Sequence, residues 1–235
     1  MRVGRCILAA SLFLPAALYN SRAAGFSIDD AASAGTEISF EYVRAGLPVP
    51  RFTLRVRNDG TGRYQADQAA RSAGDTALRG EAAEHIDRTF MLSPMMAHKI
   101  FNAAHDADHF NIACSSKAKH IADTGIKTLR YSGADGVGSC VYNYTENKSV
   151  AMLTDCFLGI AYTMDEGRRL DFLHRYDRLG LDAEINVLSQ EVEAGRALEL
   201  ETISETLAAI ADDQAVIQRA RFGAARLLAL ARESQ

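Results

Sequence analysis

Over residues 37–46, "EISFEYVRAG", apolar side chains fall at every second position, with Ile38, Phe40 and Tyr42 on one side. That period predicts a strand with one buried face. The same alternation runs through "PRFTLRVR", where Phe52, Leu54 and Val56 interleave with Arg51, Thr53, Arg55 and Arg57. Asn58-Asp59-Gly60 is a turn signal, and "GRYQAD" is the expected return arm of a hairpin. Residues 66–84 hold no apolar period and read as an exposed loop rich in alanine, glycine and charge. "HIDRTFMLS" resumes a strand.

A different period then takes over. Ser93-Pro94 reads as an N-cap followed by the first helical residue. The predicted helix runs through "PMMAHKIFNAAHDADHF", with Met96, Ile100, Phe101 and Ala104 on one side. "IKTLRYSG" and "CVYNYTEN" are two further strands joined by the glycine-rich "GADGVG". From about Lys148 onward the spacing is helical throughout: Val150, Leu153, Phe157 and Ile160, then Ile185, Leu188 and Val192, then Leu200, Ile203, Leu207 and Ile210, then Val216, Ala220, Ala224, Leu227 and Leu228.

Strands and helices therefore segregate along the chain. This predicts an α+β fold with an antiparallel sheet, a helix crossing one face, and a C-terminal helical unit. The expected organisation is a leader over residues 1–23, a sheet domain over 24–147 and a helical region over 148–235.

The leader rests on a separate pattern. Arg2 and Arg5 precede an apolar run from Cys6 to about Leu18, and Ser21-Arg22-Ala23 offers a small-residue cleavage site. That is the order of a secretory signal peptide, and the run is short for a membrane-spanning helix. The mature chain is expected to be periplasmic or extracellular and to have no transmembrane segment. A net charge of −4 without a clustered basic stretch gives no footprint for nucleic acid.

Export changes how the cysteines are read. Cys114, Cys140 and Cys156 remain after cleavage, and oxidising compartments favour pairing. Cys114 and Cys140 flank two segments that can form a hairpin, so Cys114–Cys140 is the preferred bridge; Cys140–Cys156 is the alternative left open. Cys156 sits in a helical apolar pattern and reads as a buried thiol.

Two stretches resemble known families. Around residues 37–164, Arg44, Gly46, Pro48 and the Asp59-Gly60 turn resemble the opening of small uncharacterised bacterial exported domains, although the cysteines of that pattern are absent. The resemblance implies a topology and brings no activity. Residues 198–232, with Asp212-Asp213 at a turn and Val216, Arg219, Ala220 and Leu227-Leu228 beyond it, resemble one HEAT-type helical pair. Such pairs need neighbours to bury their faces, which implies docking on this chain's own core or on a protein partner.

Candidate chemistry is sparse. Asp123-Thr124-Gly125 matches the triplet that carries the carboxylate of aspartic proteases, but that chemistry needs two carboxylates sharing a proton. The spacing favours an Asx-type turn, with Gly125 supplying a positive φ. His98, His105 and His109 fall on one face of the predicted helix, and a His-x3-His pair suits zinc. The glutamate of a His-Glu-x2-His metalloprotease is missing, and a solvated helix end explains the same residues. Around His174, Arg168, Arg169, Arg175 and Arg178 interleave with Asp165, Glu166, Asp171, Asp177 and Asp182, the pattern of a salt-bridged helix surface. No phosphate-binding or dinucleotide loop occurs. The expectation is an exported, non-enzymatic binding or structural module without a cofactor, contacting a protein through its C-terminal helices. A hydrolase using Asp123 or the His105/His109 face is the competing reading.

Overall fold

The computed structural model describes residues 35–69 and 84–233. The expected leader, with Cys6, and most of the expected 66–84 loop lie outside those residues. Six strands form one antiparallel sheet: β1 (Glu37–Val43), β2 (Arg51–Arg57), β3 (Thr61–Gln68), β4 (Glu84–Met91), β5 (Ile126–Gly133) and β6 (Gly136–Tyr142), in the order β4-β3-β2-β1-β5-β6. β1 is central because its inward side chains have partners on both flanks: Phe40 lies opposite Leu54 of β2 and Leu129 of β5. A strand's side chains alternate between faces, so this register puts Ile38, Phe40, Tyr42, Phe52, Leu54, Val56 and Tyr64 on one buried face. The opposite face carries ion pairs, among them Arg51–Glu41, Arg130–Glu41 and Arg63–Asp87.

Among the described residues, helices cover the apolar face of the sheet. α1 (Pro94–Asp106) starts where Ser93 Oγ accepts the Met96 N–H at 3.2 Å, with proline in the first turn. α2 (Lys148–Tyr176) is capped by Asn147, whose Oδ1 accepts the Val150 N–H at 3.0 Å. Phe157 of α2 stacks on Phe40 at 5.1 Å between ring centroids. The fold is therefore α+β, with two helices rather than one against the sheet and helices following it. α1 ends at Asp106, four residues before the predicted end at Phe110, because the backbone at Asp108, His109 and Phe110 turns left-handed (φ 48°, 53° and 70°).

Two hydrophobic clusters result. The first joins the sheet to α1 and to the first half of α2 through Met164. The second begins at Leu170 and Leu173, in the last turns of the same helix. There α3 (Leu181–Glu193), α4 (Ser204–Asp212) and α5 (Gln218–Glu233) bring in Ile185, Leu188, Leu207, Ile210, Ala224 and Leu227. The α4–α5 pair thus buries its apolar face within the chain. Asp182 of α3 takes both prongs of the Arg219 guanidinium, at 2.7 and 2.5 Å, which fixes α5 on α3.

Among the described residues no helix is long and apolar enough to cross a membrane. Cys114 and Cys140 are joined by a disulfide, with Cα atoms 5.8 Å apart. Cys156 is free and buried, and burial pushes its thiol pKa up, which keeps it protonated and unreactive.

Candidate functional site

The Asp123-Thr124-Gly125 triplet is built as a turn. Asp123 Oδ1 accepts the Gly125 N–H at 2.9 Å, and Gly125 has φ 88°. A Cβ at Gly125 would lie 2.6 Å from the Tyr42 ring, so glycine is required by space as well as by conformation. Beside the turn, the buried ammonium of Lys127 donates to Thr124 O, Thr124 Oγ1, Gly125 O and Asn143 O at 2.8–3.1 Å. Burial first, and then the charge of Arg44, lower the Lys127 pKa. Those four acceptors engage the ammonium as a clamp between β5 and the segment after β6.

The three candidate histidines divide. His109 is not on the helix face with His98 and His105; the left-handed turn lifts it off the helix and swings it back. Its Nε2 then lies 2.9 Å from His105 Nδ1 and 3.3 Å from Asp135 Oδ2, while His105 Nε2 is 3.8 Å from that oxygen. Among the described residues, His105, His109 and Asp135 form one group able to offer three ligand atoms within 4.8 Å of one another. His98 lines a surface cavity of about 310 Å³ together with His105, Tyr131 and Asp135, without joining that group.

Three elements hold the group together. α1 carries His105. The β5–β6 turn carries Asp135, and the Tyr131 hydroxyl lies within hydrogen-bond reach of both its oxygens, at 2.7 and 2.9 Å. That bond is the main cause of the lowered Asp135 pKa and favours the carboxylate form. The Asp108–Phe110 turn carries His109 and is wedged against β6 at Gly138, where a Cβ would meet the His109 carbonyl oxygen at 2.1 Å. Phe110 anchors the turn by full burial, and the Cys114–Cys140 bridge ties the following segment to the same strand. Asp135 escaped sequence reading because "GADGVG" looked like a connector; its spacing to the histidines exists only in the folded sheet.

A second concentration of ionisable groups lies on the other half of the sheet. A cleft of about 340 Å³ opens between the loop after β1 and α2. Leu47, Val49, Phe52 and Leu158 give it apolar walls, and Tyr162, Asp165, Glu166 and Arg169 also line it. The expected salt-bridged surface forms at Arg169–Glu184, Arg88–Asp171, Arg178–Asp213 and Arg219–Asp182, but Glu166 is not part of a surface: it is buried, only 9% exposed. Helical period, not charge, decides this, since 166 follows Thr163 on the inward side of α2. Burial, and then the neighbouring Glu184 carboxyl, push the Glu166 pKa up to about 8. Burial likewise lifts Asp165 to about 6, against a 2.8 Å hydrogen bond donated by the Tyr64 hydroxyl that favours its ionised form. Arg169 is committed to Glu184 at 2.8 Å.

No protein-family model matches the chain, and a search of curated proteins finds no match.

Proposed function

We propose that this chain is an exported, non-enzymatic binding module, and that the cleft along α2 is where it takes a small ligand. The observation that carries this reading is the conjunction of apolar walls with desolvated carboxyls in one concave site, the usual make-up of a small-molecule pocket. The ligand chemistry follows from what the cleft leaves unfulfilled. Asp165 and Glu166 are held away from water, which disfavours their charges; at Asp165 the Tyr64 hydroxyl and the charges of Arg168 and Arg88 offset this only in part, and Arg169 is paired with Glu184. A primary ammonium would restore both carboxylates, and an apolar body would cover Leu47, Val49, Phe52 and Leu158. The class is a small hydrophobic amine. The Cys114–Cys140 bridge and the basic-then-apolar N-terminus support the exported setting.

Calorimetry with phenethylamine, its alcohol analogue and its carboxylate analogue tests the reading. The amine should bind at least tenfold tighter than the other two, and Glu166→Gln should remove most of that preference. Equal affinities, or no heat from any of the three at millimolar concentration, would overturn it.

A further inference from the structure

We propose that His105, His109 and Asp135 bind a divalent transition-metal ion of the zinc class, at a site separate from the cleft. The donor set is two imidazoles and one carboxylate, which suits zinc and leaves a coordination position for water or a partner's side chain. The spacing agrees. Ligands about 2.0–2.1 Å from a tetrahedral ion sit about 3.3 Å from one another. Asp135 Oδ2 lies 3.3 Å from His109 Nε2 and 3.8 Å from His105 Nε2, and one ligand atom from each of the three residues lies within 4.8 Å of the others, so side-chain rotations can draw them to that edge length around an ion.

The backbone supplies an independent observation. A left-handed conformation costs about 1–2 kcal/mol per residue outside glycine. Here three consecutive non-glycine residues adopt it, and the middle one is His109. Local strain of this kind persists where surrounding structure enforces it, and it gathers at binding sites. Enforcement is visible on every side: burial of Phe110, the missing Cβ at Gly138 and the disulfide two residues further along β6. The imidazole at 109 packs on the Tyr131 ring and turns its Nε2 toward His105 and Asp135. Phe110 is the buried anchor of the turn, so the backbone strain holds the His109 donor in place without relying on His109 for burial.

The support beneath the donors is also that of a metal site. Outer groups that orient ligands are a regular part of such centres. Tyr131 bonds Asp135 through its hydroxyl and lays its ring 4.3 Å from the His109 ring, so one residue positions two of the three donors. His105 and Asp135 are each about half exposed, which leaves the ion an entry path.

The test is isothermal titration of the untagged mature chain with zinc chloride, repeated on variants. One equivalent should bind with a micromolar or tighter Kd. His105→Gln and Asp135→Asn should each weaken binding at least tenfold with an unchanged circular dichroism spectrum. His109→Asn is the decisive variant, because asparagine tolerates the left-handed backbone and keeps the turn; it too should weaken binding at least tenfold. Tyr131→Phe should weaken it several-fold through Asp135, and His98→Ala should leave it within twofold. Binding that survives all three ligand substitutions, or no binding up to millimolar zinc, would overturn the assignment.

Discussion

The histidine cluster and the carboxylate cleft both gather ionisable side chains, and they do so by opposite means. At the β5–β6 end, groups from three elements are brought together at the surface by a strained turn, a glycine gap and a disulfide. Along α2, neighbouring positions of a single helix are drawn out of water, Glu166 nearly fully and Asp165 in part, and the disturbance comes from that lost water. The first arrangement fixes where atoms are and leaves two of the three donors about half exposed. The second leaves geometry ordinary and changes protonation. A protein can thus prepare one site by shape and another by desolvation on the same sheet.

The sharpest way to separate the two is pH. Glu166 and Asp165 have folded-state pKa values above their unfolded ones, so the folded chain holds extra protons between about pH 4 and about pH 8. Stability should then fall as pH rises through that window, by on the order of 1 kcal/mol per pH unit where one extra proton is held, a few kcal/mol in all. Denaturant unfolding from pH 4 to pH 9 measures this. Glu166→Gln should flatten the upper part of the decline, from about pH 6 to about pH 8, and a profile unchanged by that substitution would remove desolvation as the cause.

Next in size is the bridge. Replacing both Cys114 and Cys140 by serine should cost about 3 kcal/mol in the chain-entropy account of a loop of this length. It should also weaken zinc binding while leaving amine binding in the cleft intact; equal losses at both sites would mean the two are not held by different means. Gly138→Ala should cost about 2 kcal/mol, since the new methyl meets a backbone oxygen, and should again act on the cluster alone. The smallest effect belongs to His105→Gln, which should change metal-free stability by less than about 0.5 kcal/mol, because that ring is half exposed and serves no core.

The sheet was legible because alternation in "EISFEYV" and "RFTLRVR" survives directly as register, Phe40 against Leu54. The helix starts at Ser93 and Asn147 both carry capping chemistry, and the proline after Ser93 makes the first the plainer signal in the sequence. What could not be read was tertiary. The turn that ends α1 is held by Gly138 and by burial of Phe110, contacts made only in the folded sheet, so no local signal at Asp108 announces it. Asp135 joins His109 only once β5 and β6 pair. Asp165 and Glu166 carry the charge of a surface, and their burial depends on which way α2 faces the sheet, where Tyr64 is waiting. Cys156 was readable as a buried thiol because its neighbours Leu153, Phe157 and Ile160 already define the inward stripe.

One element crosses every one of these boundaries. α2 is 29 residues long, about 43 Å, and its first half seals the sheet while its last turns found the helical cluster. A continuous helix is a stiff rod, so neither cluster can loosen its grip without loading the other. Heated or pulled, the two clusters should give way together in one event, and a ligand that tightens the cleft near the rod's midpoint would brace both at once.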